Sequence, residues 1–329
     1  MNRRQMMVTL GLLLLLLILI PVSMTGGEFP LSFGEVVAAL GGRGDELPVL
    51  VVHELRLPRM LLALLCGSVL ALSGAVLQSV LRNDLASPDI IGISAGGGVA
   101  GLAVLLYLPM LGNFTGAAVF AGAFAVAMLI YFAAWKRGIE PARLILAGVA
   151  VNAIAGAISG TLLLLNSHRL IGIFDFTLGG LSNRTMGDLM MFLPCFLLCY
   201  AGTLYLWRKL DILSLGDENA ASLGLNVEVV RLIALFTAAV GSAGVAGVAG
   251  MAGFVGLIAP HTVRLLGGGG CNLFILPASA LLGAILMIAG DFAGRVLLPG
   301  REVPAGIFLA FAGALFFLIL LLCERGRTK

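Results

Sequence analysis

The sequence predicts an all-α polytopic membrane protein with about ten transmembrane helices and both termini in the cytoplasm. Three observations carry that fold class. First, 60% of the 329 residues are hydrophobic and 11% are charged, where an average soluble chain carries about 25% charged residues. Second, charge-free runs cover 5–27, 60–81, 90–135, 144–167, 189–207 and 303–323, and roughly 20 apolar residues are enough to cross a bilayer. Third, lysine and arginine fall unequally on the two sides that these runs define. No hydrophilic stretch is long enough for a soluble domain, so 1–329 reads as one membrane domain.

The elements follow in order. "MNRRQMMVTLGLLLLLLILIPVSM" resembles a signal peptide, but its apolar run is long and no A-x-A-like cleavage site follows. It reads as a retained helix over 6–24. Residues 25–57 form a longer segment outside. Within it "SFGE" (32–35) fits a capping box and Gly41 fits a stop, which predicts a short helix over 33–40. The second span is 58–81. In "RNDLASPDIIG" (82–92), Ser87 fits an N-cap and Pro88 the first position of the next helix, 90–108. The run 90–135 breaks at "LPMLGNFTG", which leaves 115–135 as the fourth span. The fifth and sixth are 142–164 and 187–208. Between Arg231 and Arg264 one helix would be ~48 Å long, beyond the ~30 Å core. Glycine recurs there at 241, 244, 247, 250, 253 and 256, and a split near Gly250 gives two short spans, 229–249 and 252–267. The last two are 275–297 and 304–323. Small residues, including 45 glycines, let membrane helices approach closely.

Orientation follows from the loop charges. With the N-terminus inside, the inner side receives Arg3, Arg4, Arg82, Lys136, Arg137, Arg143, Arg208, Lys209, Arg231, Arg264, Arg325, Arg327 and Lys329. The outer side receives Arg43, Arg56, Arg59, Arg169, Arg184, Arg295 and Arg301. Thirteen against seven places the termini in the cytoplasm by the positive-inside rule.

Catalytic chemistry is sparse. No G-x-x-x-x-G-K-[ST] occurs, so any ATP that drives this chain binds another. "GGGVAG" (96–101) satisfies G-x-G-x-x-G but lies in an apolar run, not in a βαβ unit. There is no H-E-x-x-H and no G-x-S-x-G. His53, His168 and His261 stand in unrelated contexts. His168, with Arg169, is open to a haem- or iron-contacting role, yet no second ligand stands at metal spacing. Of the five cysteines, Cys195 and Cys199 share a helix face, but free cysteine behaves as a small buried hydrophobe. No disulfide framework is indicated. The net charge of +3 is small and scattered, so nucleic acid is not a partner. Asp291 and Arg295, at i and i+4 near the outer end of their helix, are the clearest intramembrane charges. A chain of acids for a proton relay is absent, as is a paired nucleophile and base. A proton- or sodium-coupled transporter using Asp291 or Glu302 is the rival class. The chain is expected to catalyse nothing and to hold no metal or cofactor.

The most polar interior stretch is "DILSLGDENAASLGLNVEVVR" (211–231). Asp217 fits a cap for a helix starting near Glu218, Gly224 stops it, and Asn226 caps the next helix. A bare connection needs only a few residues. This one builds a rigid knob on the cytoplasmic side, of the kind that docks against a partner.

Four blocks in order resemble the iron-siderophore, haem and cobalamin family of ABC importer permeases, the FecCD family. "RLPRMLLALLCGSVLALSGAVLQSVLRNDLASPDIIGISAGGGVAG" (56–101) is similar to its RLPR…Q…NPLA block. "LGDENAASLGL" (215–225) resembles its coupling segment, and "GFVGLIAPHTVRLL" (253–266) its GFxGLxxPHxxR segment. "ASALLGAILMIAGDFAGRVLLPGREVPAGIF" (278–308) resembles its D…R…EiPvGi block. The likeness covers nearly the whole chain.

The resemblance implies the permease of a type II ABC importer in the bacterial inner membrane. A second permease copy would complete the pathway, two cytoplasmic ATPases would bind ATP and Mg, and a periplasmic or lipid-anchored binding protein would deliver substrate. It implies that Gly216, Asp217, Glu218, Ala221, Leu223 and Gly224 meet the ATPase, and that Arg56, Arg59 and Arg295 meet acidic residues of the binding protein. Family frequency favours a ferric siderophore, with haem and cobalamin as alternatives. Three departures stand out: Asp84 where the family has proline, "GGGGCN" (267–272) where it has a His-Arg pair, and "GALFF" (313–317) without the usual proline.

Overall fold

The computed structural model describes residues 2–135, 141–167, 173–298, 300 and 302–325. The described residues form fourteen α-helices, and seven of them are long and apolar enough to cross a membrane. In order the helices are α1 (Arg3–Thr25), α2 (Phe33–Leu40), α3 (Glu46–Leu50), α4 (Leu57–Leu81), α5 (Ile93–Tyr107), α6 (Thr115–Ala134) and α7 (Pro141–Leu165). There follow α8 (Ile173–Leu178), α9 (Met186–Leu213), α10 (Asp217–Ser222), α11 (Val227–Ala249), α12 (Val255–Gly267), α13 (Asn272–Val296) and α14 (Ala305–Arg325).

Helices α4, α11 and α13 are the most buried of the long spans, while α1 and α7 lie at the periphery. The centre closes by backbone contact at glycine. A methyl at Gly67 would lie 2.2 Å from the Gly283 carbonyl oxygen on α13, and one at Gly74 would lie 1.8 Å from that of Gly256 on α12. Small residues at these crossings permit the dispersion contacts that hold helices together in lipid.

Most long elements fall within a few residues of their expected bounds, and the differences have physical causes. Helix α2 has its capping box, with Ser32 and Glu35 each receiving the other's backbone N–H. Its left-handed stop is Gly42 (φ 67°), not Gly41 (φ −81°). The second span starts earlier than expected, because Glu46–Leu50, a π-helical stretch Val51–Arg56 and α4 run on continuously. Pro58 has no N–H to bond back one turn, and the chain passes the site in the wider register, with the Leu57 N–H on the Val52 carbonyl. Helix α9 continues to Leu213 and carries Arg208 over the Trp207 ring and Lys209 over Tyr205.

Two helices are broken. Ser87 caps a single turn, with its hydroxyl on the Ile90 N–H and its carbonyl on the Ile91 N–H. Gly92 (φ 89°) then ends that turn, so α5 starts at Ile93 rather than near 88–90. The Ile91 carbonyl lies against Gly148, ~10 Å along α7 from its start. The segment 82–92 thus re-enters the bundle, and α5 spans only ~22 Å. The break near Gly250 is equally sharp. Gly250 (φ 67°) ends α11 by leaving the right-handed helical region, and only glycine fits there because a side chain would strike the Phe176 carbonyl. The Met251 N–H bonds that same carbonyl, and left-handed Phe254 starts the short α12.

Candidate functional site

The knob is built from local capping. Gly216 (φ 110°) turns the chain out of α9 and serves as N-cap of α10. Gly224 (φ 81°) ends it, with the Leu225 N–H on the Ala220 carbonyl and the Gly224 N–H on that of Ala221, a Schellman closure. Asn226 then caps α11 by accepting the Val229 N–H. Ala220 is buried, whereas Glu218, Ala221, Leu223 and Gly224 are exposed. Leu215 and Leu223 project at 58% and 64% exposure, so the free side of the knob offers two leucines among the exposed Glu218, Asn219 and Ser222.

Asp217 does not cap α10, as its sequence position predicts. It is the first helical residue, and its carboxylate turns inward to Arg231 at 2.9 Å and to Arg82. Arg82 also donates to the Leu213 carbonyl. Asp217 therefore fixes the knob to α11 and to the end of α4. Asp211 does the same for α9, accepting the N–H and the side-chain amide of Asn272 at the start of α13.

Two departures from the family pattern acquire partners on this face. Asp84 sits 3.2 Å from Arg264, which also donates to Gln78. In "GGGGCN", Gly268, Gly269 and Gly270 all have positive φ. They wrap the end of α12 so that Arg4 donates to the Leu266 carbonyl at 2.7 Å and Gln5 to that of Gly269. A cation at a helix C-terminus satisfies its free carbonyls and its dipole.

At the opposite face, Arg56, Arg59 and Arg295 come together. Arg59 bonds Asp291 and Glu302, each at 2.8 Å, and Arg295 bonds Asp291 at 3.2 Å. Arg295 also donates to the Ser23 and Gly26 carbonyls, and Arg56 to those of Met24 and Phe29. All three guanidinium groups are thus engaged within the chain, and Arg56 and Arg59 are buried. Glu302 is the half-exposed member and also accepts from Ser182. Burial alone would raise its carboxyl pKa, but the Arg59 guanidinium and the Ser182 hydroxyl outweigh burial and hold it below the usual carboxylate range. A cavity of about 430 Å³ opens beside this cluster, lined by Arg59, Ser182, Arg184 and Glu302 among others.

The remaining candidates stay apart. Cys199 is buried with Ser73 as its polar neighbour, and Cys195 packs at Gly244. No group of three or more His, Cys, Asp or Glu able to hold a metal occurs among the described residues. His168, Arg169 and Arg301 lie outside the described residues. The partners Arg82 and Arg231, and the acid Asp89 between the two broken helices, carry no signal in the resemblance.

This is a multi-pass helical membrane protein with a capped knob on one face and an arginine–carboxylate cluster on the other. The FecCD transport family model matches residues 14–323, and the chain belongs to that family of transport permeases. It is 38% identical to the Fe(3+)-citrate import system permease protein YfmE of Bacillus subtilis, over 98% of this chain and 97% of that one. It is 35% identical to the cobalamin import system permease protein BtuC of Halobacterium salinarum, over 92% and 81%. Among solved structures, a metal-chelate type ABC transporter in an inward-facing conformation superposes with a TM-score of 0.84 and 30% identity, covering 95% of this chain and 98% of that one.

Proposed function

We propose that this chain is the membrane-spanning subunit of an ATP-driven importer for an iron chelate, a ferric siderophore first among them. The observation that carries the reading is the knob: a rigid helix, closed at both ends by backbone bonds, with Leu215 and Leu223 exposed and its acid Asp217 anchored inward. An anchored knob moves with α9 and α11, as a lever driven by a partner ATPase must. In this reading 1–329 is one membrane domain crossing ten times, with both termini and the knob in the cytoplasm and the arginine cluster outside. Two copies enclose the pathway. ATP and Mg bind to the ATPase partners, and alternating access carries the chelate inward from a binding protein at the arginine face. Cobalamin is the alternative that the Halobacterium relative favours.

Charge reversal at the two faces tests the division of roles. Replacing Asp217 and Glu218 by lysine is expected to uncouple ATP hydrolysis from transport while binding-protein docking survives. Arg56→Glu with Arg59→Glu is expected to abolish docking. Because both arginines are buried and Arg59 pairs with Asp291 and Glu302, this is read on protein that keeps its wild-type unfolding temperature and ATPase assembly, with Arg56→Gln and Arg59→Gln as the milder pair. The same defect from both pairs would overturn the assignment. Calorimetric titration of the binding protein that docks on this permease with ferric chelates, haem and cobalamin decides the substrate.

A further inference from the structure

The two broken helices meet at one carboxylate. Asp89, in the re-entrant segment 82–92, accepts the Ser94 hydroxyl at 2.5 Å, and its carboxylate lies against the backbone of Gly253 and Phe254, where α12 starts. Ser94 in turn lies 3.3 Å from the Ser242 hydroxyl on α11. The side-chain amide of Asn152, on α7, donates to the carbonyls of Asp89 and Ile90 at 2.9 and 3.1 Å. This junction lies inside the bundle, because Ser242 stands ~22 Å along α11 from its start. At the other end of the same segment, Arg82 grips Asp217 of the knob and the Leu213 carbonyl.

We propose that Asp89 is a positioning residue for transport: it fastens the segment 82–92 to α12 and α7, so that displacement of the knob reaches both helices. The inference rests on the reading of the knob as the ATPase contact. A carboxylate serving only as a helix cap has a cheaper substitute, since serine caps as well, and an acid at membrane depth is costly to keep. The geometry gives Asp89 more than a cap. One residue holds the start of α12 through its carboxylate and α7 through its carbonyl, while Arg82, at the head of its segment, holds the knob. Phe254 is left-handed (φ 69°), a conformation that a bulky non-glycine residue rarely adopts, and it sits beside that carboxylate.

Hydrogen exchange, measured by mass spectrometry on the permease–ATPase complex in nanodiscs, tests this with and without Mg-ATP and vanadate. The wild type is expected to show nucleotide-dependent exchange at 216–224, at 250–258 and at 144–154. In Asp89→Ala, which keeps the backbone carbonyl that Asn152 holds, the responses at 216–224 and 144–154 persist and the response at 250–258 falls at least threefold. In Asn152→Ala only the 144–154 response falls. This segment-by-segment loss separates positioning from general destabilisation, which would loosen all three segments without nucleotide. A wild-type response at 250–258 in Asp89→Ala would overturn the inference. No response at 216–224 in the wild type would overturn the coupling reading instead. Should Asp89→Ala fail to assemble, Asp89→Asn, which keeps an acceptor oxygen, is read by the same criteria with a partial loss expected at 250–258.

Discussion

The arginines at the face opposite the knob show how a residue's role depends on its partners. Arg59 and Arg295 share Asp291, whose side chain is 3% exposed. Removing one partner of such a buried pair costs more than the pair contributes, because the other charge stays desolvated. Glu302 is different, since its side chain is 38% exposed and water screens it. Its folded pKa lies below the unfolded value of about 4.3. The pairing therefore stabilises the fold at pH values above about 4.3 and is lost as the pH falls through the folded value. Glu302→Gln cannot lose a charge there. Between pH 6 and pH 3.5 its thermal unfolding temperature is expected to fall less steeply than that of the wild type, and parallel curves would remove Glu302 from the acid response. The i, i+4 pair was legible in the sequence, as "GDFAGR" showed for Asp291 and Arg295. The pairing of Arg59 with Glu302 was not, because the two are brought together only by the packing of α4 beside α13 and the loop that follows it.

At the scale of elements, the bilayer made the long spans legible: a run must be apolar for about the hydrocarbon thickness, so run lengths set boundaries directly. What the runs did not show is set by contacts between elements. The re-entry of 82–92 depends on Gly148 and Asn152 of α7, and the π-helical passage at Val51–Arg56 depends on how Pro58 is accommodated. The crossing of α4 and α12 is the tightest contact named here and yields a sharp test. Gly74→Ala must push α12 away from α4 and is expected to cost about 1–3 kcal/mol, as overpacking does. Gly11→Ala on the peripheral α1 meets nothing within 4 Å and should change stability by less than about 0.5 kcal/mol. Thermal unfolding in detergent compares the two, and equal shifts would show that the α4–α12 contact is not close.

At the scale of the whole molecule, three long-range ties put the N-terminus, the knob and the glycine loop on one face. Arg4 bonds the end of α12, Asp211 the start of α13, and Asp217 the end of α4. Whichever side of the membrane holds one of them holds all three, so one reporter fixes the topology. Cys271 is that reporter: it is exposed, it adjoins Asn272 in the glycine loop, and it is a free thiol. The excess of lysine and arginine assigns this face to the cytoplasm. A membrane-impermeant maleimide is therefore expected to modify Cys271 in inverted vesicles and not in right-side-out ones, and Cys271→Ser should remove that labelling. A cysteine placed at the exposed Arg43, in the segment between α2 and α3, should show the opposite pattern. Labelling of Cys271 from outside would invert the molecule. The knob would then face away from any cytoplasmic ATPase, and the arginine cluster away from any binding protein. The coupling assignment at 216–224 and the docking assignment at Arg56, Arg59 and Arg295 thus stand or fall on the same accessible thiol.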